Sequence, residues 1–169
     1  GLSKTNLDEF TLGAEMQSMM VGMGTTDTAY LMGQPERWLQ LLKKVKLYLP
    51  KTKVTYDINF PETLVPLTGS IGGEFERWRH ILVDLKNTHS NLLLQKRSAL
   101  AELWAELDFI GLDFYRFLAT STLNLPKDFD GLTDQLSMVA LTHATQIDNS
   151  LSDISLTLSV EKQIAIKEV

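Results

Sequence analysis

Residues 74–120 contain no proline, and no other feature narrows the folding choices of this 169-residue chain as much. Within them Phe75, Trp78, Ile81, Leu82 and Leu85 recur at helical spacing, and Leu100, Leu103, Trp104, Leu107, Ile110, Phe114 and Phe117 make a broader stripe of the same period. One straight helix over this span would reach about 70 Å, long for a small domain. The spacing therefore predicts helices broken at the polar residues 87–91, with Gly111 a second candidate for a bend.

The flanking segments extend the helical reading. Pro35 suits the first turn of a helix that Pro50 stops, with Trp38, Leu42, Val45 and Leu49 on one side and Arg37, Lys43, Lys44 and Lys46 over the remainder. Asn6 and Glu9 have the form of a capping box ahead of Leu12, Met16, Met19, Met20 and Met23. Five of the six methionines fall between positions 16 and 32, as core filling or as an adaptable docking surface. Residues 54–60 alternate apolar and polar, as a half-buried strand does. The comparable alternation at 154–160 offers it a partner, unless that segment continues a final helix from 132 on Ile147, Leu151, Ile154 and Leu158. Residues 124–131 read as a loop. The expected fold is mainly α, a bundle of about four to five helices with one or two short strands. It forms a single domain over 1–169, divided into a Met-rich segment 1–35, a basic middle 36–120 and an acidic segment 121–169.

Composition removes several chemistries. The chain has no cysteine, so thiolate nucleophiles, thiolate metal sites and disulfides are excluded. No apolar run approaches the roughly 20 residues that span a bilayer, and GLSKTNLDEF lacks the layout of a signal peptide. A cytoplasmic or virion-resident protein is the expectation. The net charge of −5 is uneven: 1–35 carries −3, 36–97 carries +5 and 98–169 carries −7. The basic middle either faces a polyanion or neutralises the acidic segments within the fold.

Catalytic patterns are sparse. His80, His89 and His143 lack the spacing of zinc or di-iron ligands, and neither a nucleophile elbow nor a Walker-type phosphate loop occurs. Asp128 begins a stretch resembling a calcium loop, but its glycine, Gly131, arrives two positions early. On a helix, Glu102, Glu106 and Asp113 would share one face, a layout able to hold Mg²⁺. The segment LAELWAELDFIGLDFYRFL resembles the acidic core helix of the all-helical nucleotide pyrophosphohydrolases, although their Glu-x-x-Glu spacing is absent. A solvated outer face explains these acids better. The reading is a non-enzymatic protein without metal or cofactor, with the Mg-dependent pyrophosphohydrolase as an alternative.

Polyanion binding has more support. The stretch TGSIGGEFERWRH at 68–80 sets Gly69, Gly72 and Gly73 before a helix, where free backbone N–H groups favour phosphate. Arg77, Arg79, Lys86, Lys96 and Arg97 follow, and Lys43, Lys44 and Lys46 lie on the preceding helix. These eight residues are the candidate nucleic-acid contacts, without base-reading motifs. A helical body with this charge layout over 36–120 resembles the small helical subunit of CRISPR interference complexes. That resemblance implies a non-catalytic subunit that contacts a DNA or RNA backbone beside partner subunits, away from membranes. The competing class is a structural protein of a phage particle or secretion machine.

Overall fold

The computed structural model of the chain describes residues 7–22, 26–61, 73–115 and 126–168. Strand β1 (Glu9–Ala14) leads into a one-turn helix α1 (Gln17–Met20), a 3₁₀ turn (Asp27–Met32) and helix α2 (Pro35–Tyr48). Strand β2 (Lys53–Pro61), helix α3 (Gly73–Val83), a 3₁₀ turn (Asp84–Asn87) and helix α4 (Asn91–Glu106) follow. Strand β3 (Phe109–Tyr115), helix α5 (Phe129–Leu158) and strand β4 (Ile164–Glu168) complete the order.

The four strands form one sheet in the order β1-β2-β3-β4, and every pair is parallel. The fold is therefore α/β, which corrects the expected mainly helical bundle. Two expectations fail, and the open choice at 154–160 falls to the helix. Residues 9–14 pair with β2 rather than opening a capped helix. Leu107, Ile110 and Phe114 are apolar at helical spacing, yet the chain leaves α4 at Glu106 and Ile110 and Phe114 lie in β3. The alternating residues 154–158 belong to α5, so β2 pairs with β1 and β3 instead. The expected helix from Pro35 and the expected strand at 54–60 are both present.

Local chemistry accounts for the helix boundaries. Pro35 supplies the first turn of α2, Ser90 Oγ accepts the Leu93 N–H at the start of α4, and Asp128 Oδ1 accepts the Gly131 N–H at 2.7 Å at the start of α5. The calcium-loop-like stretch is thus a helix N-cap. α5 ends on Ser159 in the left-handed region, as helix C-termini commonly do.

Parallel crossovers are right-handed in nearly all cases, so a sheet with consecutive strand order receives its connecting helices on one face. The packing agrees. Val54, Tyr56, Ile58 and Phe60 of β2 and Ile110 and Leu112 of β3 are buried in one cluster with Leu42 of α2, Phe75 and Trp78 of α3, Leu103 and Trp104 of α4, and Ile154 of α5. Aromatic edges and faces knit this layer, with Tyr56 against both Trp38 and Trp78, and Phe60 against Phe75 and Phe114.

The other face of the same strands presents Glu9, Thr11, Thr55, Asp57, Gly111, Asp113 and Lys167. Lys167 of β4 pairs with Glu9 of β1 across two intervening strands while its ammonium sits over the Phe109 ring. Three interstrand spacings amount to about 14 Å in a flat sheet, more than two such side chains bridge once their offset along the strands is added. The sheet therefore curls, concave on this polar side. Consecutive parallel strands, curled, with helices on the convex side, is the arrangement of successive units in a β/α barrel.

Candidate functional site

In parallel α/β sheets, functional groups collect beyond the carboxyl ends of the strands. At that end β1 delivers Glu15, β2 delivers Asp57 and Asn59, β3 delivers Asp113, and Glu168 closes β4 in register with Asp113. The two edge strands each carry an irregularity just there, between Thr11 and Ala14 on β1 and opposite Leu112 and Asp113 on β4. Such bulges bend a strand and re-aim its side chains.

The β1 bulge has a visible sequence cause. Leu12 is buried in the core, and a Cβ on Gly13 would lie 2.9 Å from the Trp38 ring and 3.2 Å from that of Tyr56. Two successive residues thus face the helices, and only glycine fits the second. Glu15 then adopts φ +52°, an uncommon conformation for a side chain of its size. Its N–H donates to the Asp57 carbonyl at 3.1 Å, and its carboxylate Oε1 accepts from Asn59 Nδ2 at 3.0 Å. The Asn59 Oδ1 is buried without a hydrogen-bond partner among the described residues.

Asp57 and Asp113 are 8% and 3% exposed, low enough that each needs compensation from its surroundings. Gly111 lies opposite Asp57 in register, and a Cβ there would fall 1.8 Å from Asp57 Oδ1. Its N–H donates to Thr55 Oγ1 at 2.9 Å. Glycine at 111 is therefore what leaves room for an aspartate on the adjacent strand.

Behind this edge stands Glu74, in the first turn of α3 and fully buried. Tyr56 Oη donates to its Oε1 at 2.9 Å, Trp78 Nε1 donates to the same oxygen at 3.3 Å, and the Asn59 N–H approaches Oε2 at 3.5 Å. Burial pushes the Glu74 carboxyl up to about 7, with the charge of Glu15 adding to the rise and the three donors opposing it. Burial first, then the neighbouring Glu74, pushes the Tyr56 phenol far up, so it stays a neutral donor.

The eight basic residues singled out in the sequence do not come together at one surface. Arg77 is 4% exposed, donates to the Val21 carbonyl at 3.2 Å and lies over the Tyr30 ring. Arg79 bridges Asp153 at 2.7 Å and Asp84 at 3.1 Å, which ties α3 to α5. Lys96 pairs with Glu36 at 2.7 Å, and Arg97 donates to the Leu82 carbonyl at 3.0 Å. Lys43 pairs with Glu102 at 2.5 Å and Lys46 with Asp108 at 3.5 Å, while Lys44 and Lys86 are exposed. Six of the eight thus have partners within the fold, and three of them, Lys43, Lys46 and Arg79, pair with acids of the net-negative residues 98–169. The glycine turn at 68–72 lies outside the described residues, and Gly73 begins α3.

The acidic trio also disperses. Glu102 faces α2 through Lys43, Glu106 ends α4, and Asp113 lies in β3 at the concave face. Among the described residues, no three His, Asp or Glu side chains converge as metal ligands. Among the same residues no helix is long and apolar enough to cross a membrane. Sequence reasoning missed Glu15, Asn59, Asp57 and Glu74. The signal available was a shared pattern, a short apolar-alternating run ending near an acid, in FTLGAE, VTYDINF, FIGLDFY and IAIKE. Compared with known protein families, curated proteins and solved structures, the chain has no significant match.

Proposed function

We propose that the carboxyl edge of the sheet is the active site of a glycoside-cleaving hydrolase that works by carboxylate acid–base chemistry. The observation that carries this reading is Glu15. It is an exposed carboxylate at the end of a parallel strand, held in a left-handed backbone conformation and oriented by the amide of Asn59. Strain of this kind at a strand end favours a functional origin.

The surroundings favour a neutral, hydroxyl-rich substrate. Glu15 is exposed at this edge with Asp57 and Asp113 beside it, while of the described cations on this face Lys167 is occupied by Glu9 and Lys53 lies at the amino-terminal end of β2, opposite Glu9. Such a surface repels phosphates and carboxylates and matches the donors of a sugar. Glycosidic cleavage needs two carboxyl groups, one to protonate the leaving oxygen and one to assist attack at the anomeric carbon. Glu15 is assigned the first role, and an acid of the neighbouring strands, Asp57 or Asp113, is the candidate for the second. Asn59 presents Glu15 through its side-chain amide.

The test is hydrolysis of a panel of neutral aryl glycosides and oligosaccharides. Glu15→Gln, which keeps shape but removes the proton, is expected to lower kcat by about 10²–10⁴-fold with an unchanged fold. Full activity in the variant, or no cleavage of any glycoside by the native protein, rejects the reading.

A further inference from the structure

Glu74 is a carboxylate set inside the core, and no catalytic step uses it. It is fully buried, yet a hydrophobic side chain at this position would bury without the desolvation cost of an acid. Its hydrogen bonds suggest what the acid supplies. Oε1 accepts from Tyr56 Oη, and Tyr56 Oη in turn accepts the Met16 N–H at 3.0 Å. Met16 is the residue directly after Glu15. The second oxygen, Oε2, faces the Asn59 N–H at 3.5 Å, and the Asn59 side chain donates to Glu15. The connections close into a ring that runs from Glu74 through Tyr56 to the backbone after Glu15, then through Glu15 and Asn59 back to Glu74.

We infer that Glu74 is a positioning residue for Glu15, clamping from inside the core the two strand ends that carry Glu15 and Asn59. This rests on the assignment of Glu15 as the acid–base group. A carboxylate suits the task because it offers an acceptor to each strand end from one rigid helix turn. The clamp explains how a glutamate persists at φ +52°, since the N–H groups on both sides are committed, Glu15 to the Asp57 carbonyl and Met16 to Tyr56. Such fixation of a reacting group by supporting hydrogen bonds is a recognised requirement for acid–base chemistry. Trp78 adds a third donor and anchors Glu74 within α3.

The experiment has two arms, both on the intact protein. The first needs no substrate: amide hydrogen exchange at Met16 and Asn59 in Tyr56→Phe and Glu74→Gln. Tyr56→Phe, the milder change, is expected to speed exchange at Met16 at least tenfold while Asn59 and the α4 amides stay unchanged. Glu74→Gln keeps one acceptor of the two and is expected to speed exchange at Asn59, whose N–H loses Oε2, with a smaller rise at Met16 because Tyr56 remains. Unchanged exchange at both sites, or a rise shared by every amide of the fold, overturns the clamp. The second arm is kinetic. Glu74→Gln is expected to lower kcat at least tenfold with KM within twofold, and to add nothing when Glu15→Gln is already present. An equal loss in both backgrounds overturns action through Glu15. If Glu15→Gln alone leaves the rate untouched, the functional assignment fails while the exchange arm still decides the clamp.

Discussion

The two faces of β2 differ more than any other pair of surfaces in the molecule. On the convex face Val54, Tyr56, Ile58 and Phe60 are fully packed under α2 and α3, while on the concave face the intervening positions are Thr55, Asp57 and Asn59. One strand thus packs the core on one side and, in the proposed function, serves chemistry on the other. The alternation of side chains along a strand makes this division possible, and a one-residue slip would exchange the two sets. Tyr56 and Glu74 are where the faces communicate, because the phenol packs with the aromatic layer while its hydroxyl reaches the turn bearing Glu15.

The largest expected effect belongs to the convex face. Phe60→Ala removes a ring stacked edge-on against Phe75 and beside Phe114. Unfolding in urea is expected to reveal a loss of about 3–5 kcal/mol, with KM unchanged in whatever fraction remains folded. A change in KM of the same size would mean that the faces are not separable.

The second effect tests the link between them. The Glu74 carboxyl is raised from 4.5 to about 7 in the folded protein, chiefly by burial, with Glu15 adding to the rise and Arg77 sharing the charged neighbourhood. A carboxyl with a raised folded-state value favours folding in its protonated form. Its contribution is fully present below about pH 4.5 and is lost as the pH rises through about 7, a difference of about 3 kcal/mol at most. Urea titrations between pH 4.5 and 8 are expected to show this slope in the native protein and a flatter one in Glu74→Gln. Parallel slopes would place the titration elsewhere.

A smaller effect belongs to the concave face. Gly111→Ala sets a methyl group against Asp57 and against the Lys167 stem. A stability loss of about 1–3 kcal/mol is expected from overpacking, with a lower rate of glycoside cleavage because Asp57 must move. A stable, fully active variant would show that Asp57 is not held in place by this contact.

How far these faces were legible in the sequence depended on the local signal. The strand at 53–61 alternates strictly and stood out, and α2 was marked by Pro35 and by an apolar stripe. β3 did not stand out, because it follows α4 with neither proline nor a glycine at the junction, and its apolar residues continue the helical count. β1 begins after an apparent capping box, and its bulge replaces alternation by the pair Leu12 and Gly13. β4 spans only five residues. Parallel strands acquire their partners through distant pairing, so none of these segments carries a turn signal such as a hairpin supplies. The site was hidden for the same reason. Glu15, Asn59 and Asp113 are 44 and 54 residues apart along the chain, and only the sheet register brings them to one edge. The arginines at 77 and 79 were conspicuous because charge is local, yet their partners, the Val21 carbonyl and Asp153, are as remote as those of the carboxylates.

The most direct test of the carboxyl edge as the working site is an amide shift map of the folded protein titrated with a neutral oligosaccharide. The largest changes are expected at Glu15, Asn59, Gly111 and Asp113, with little movement on α2 and α4. Changes confined to the helical surface, or none at saturating sugar, would contradict it.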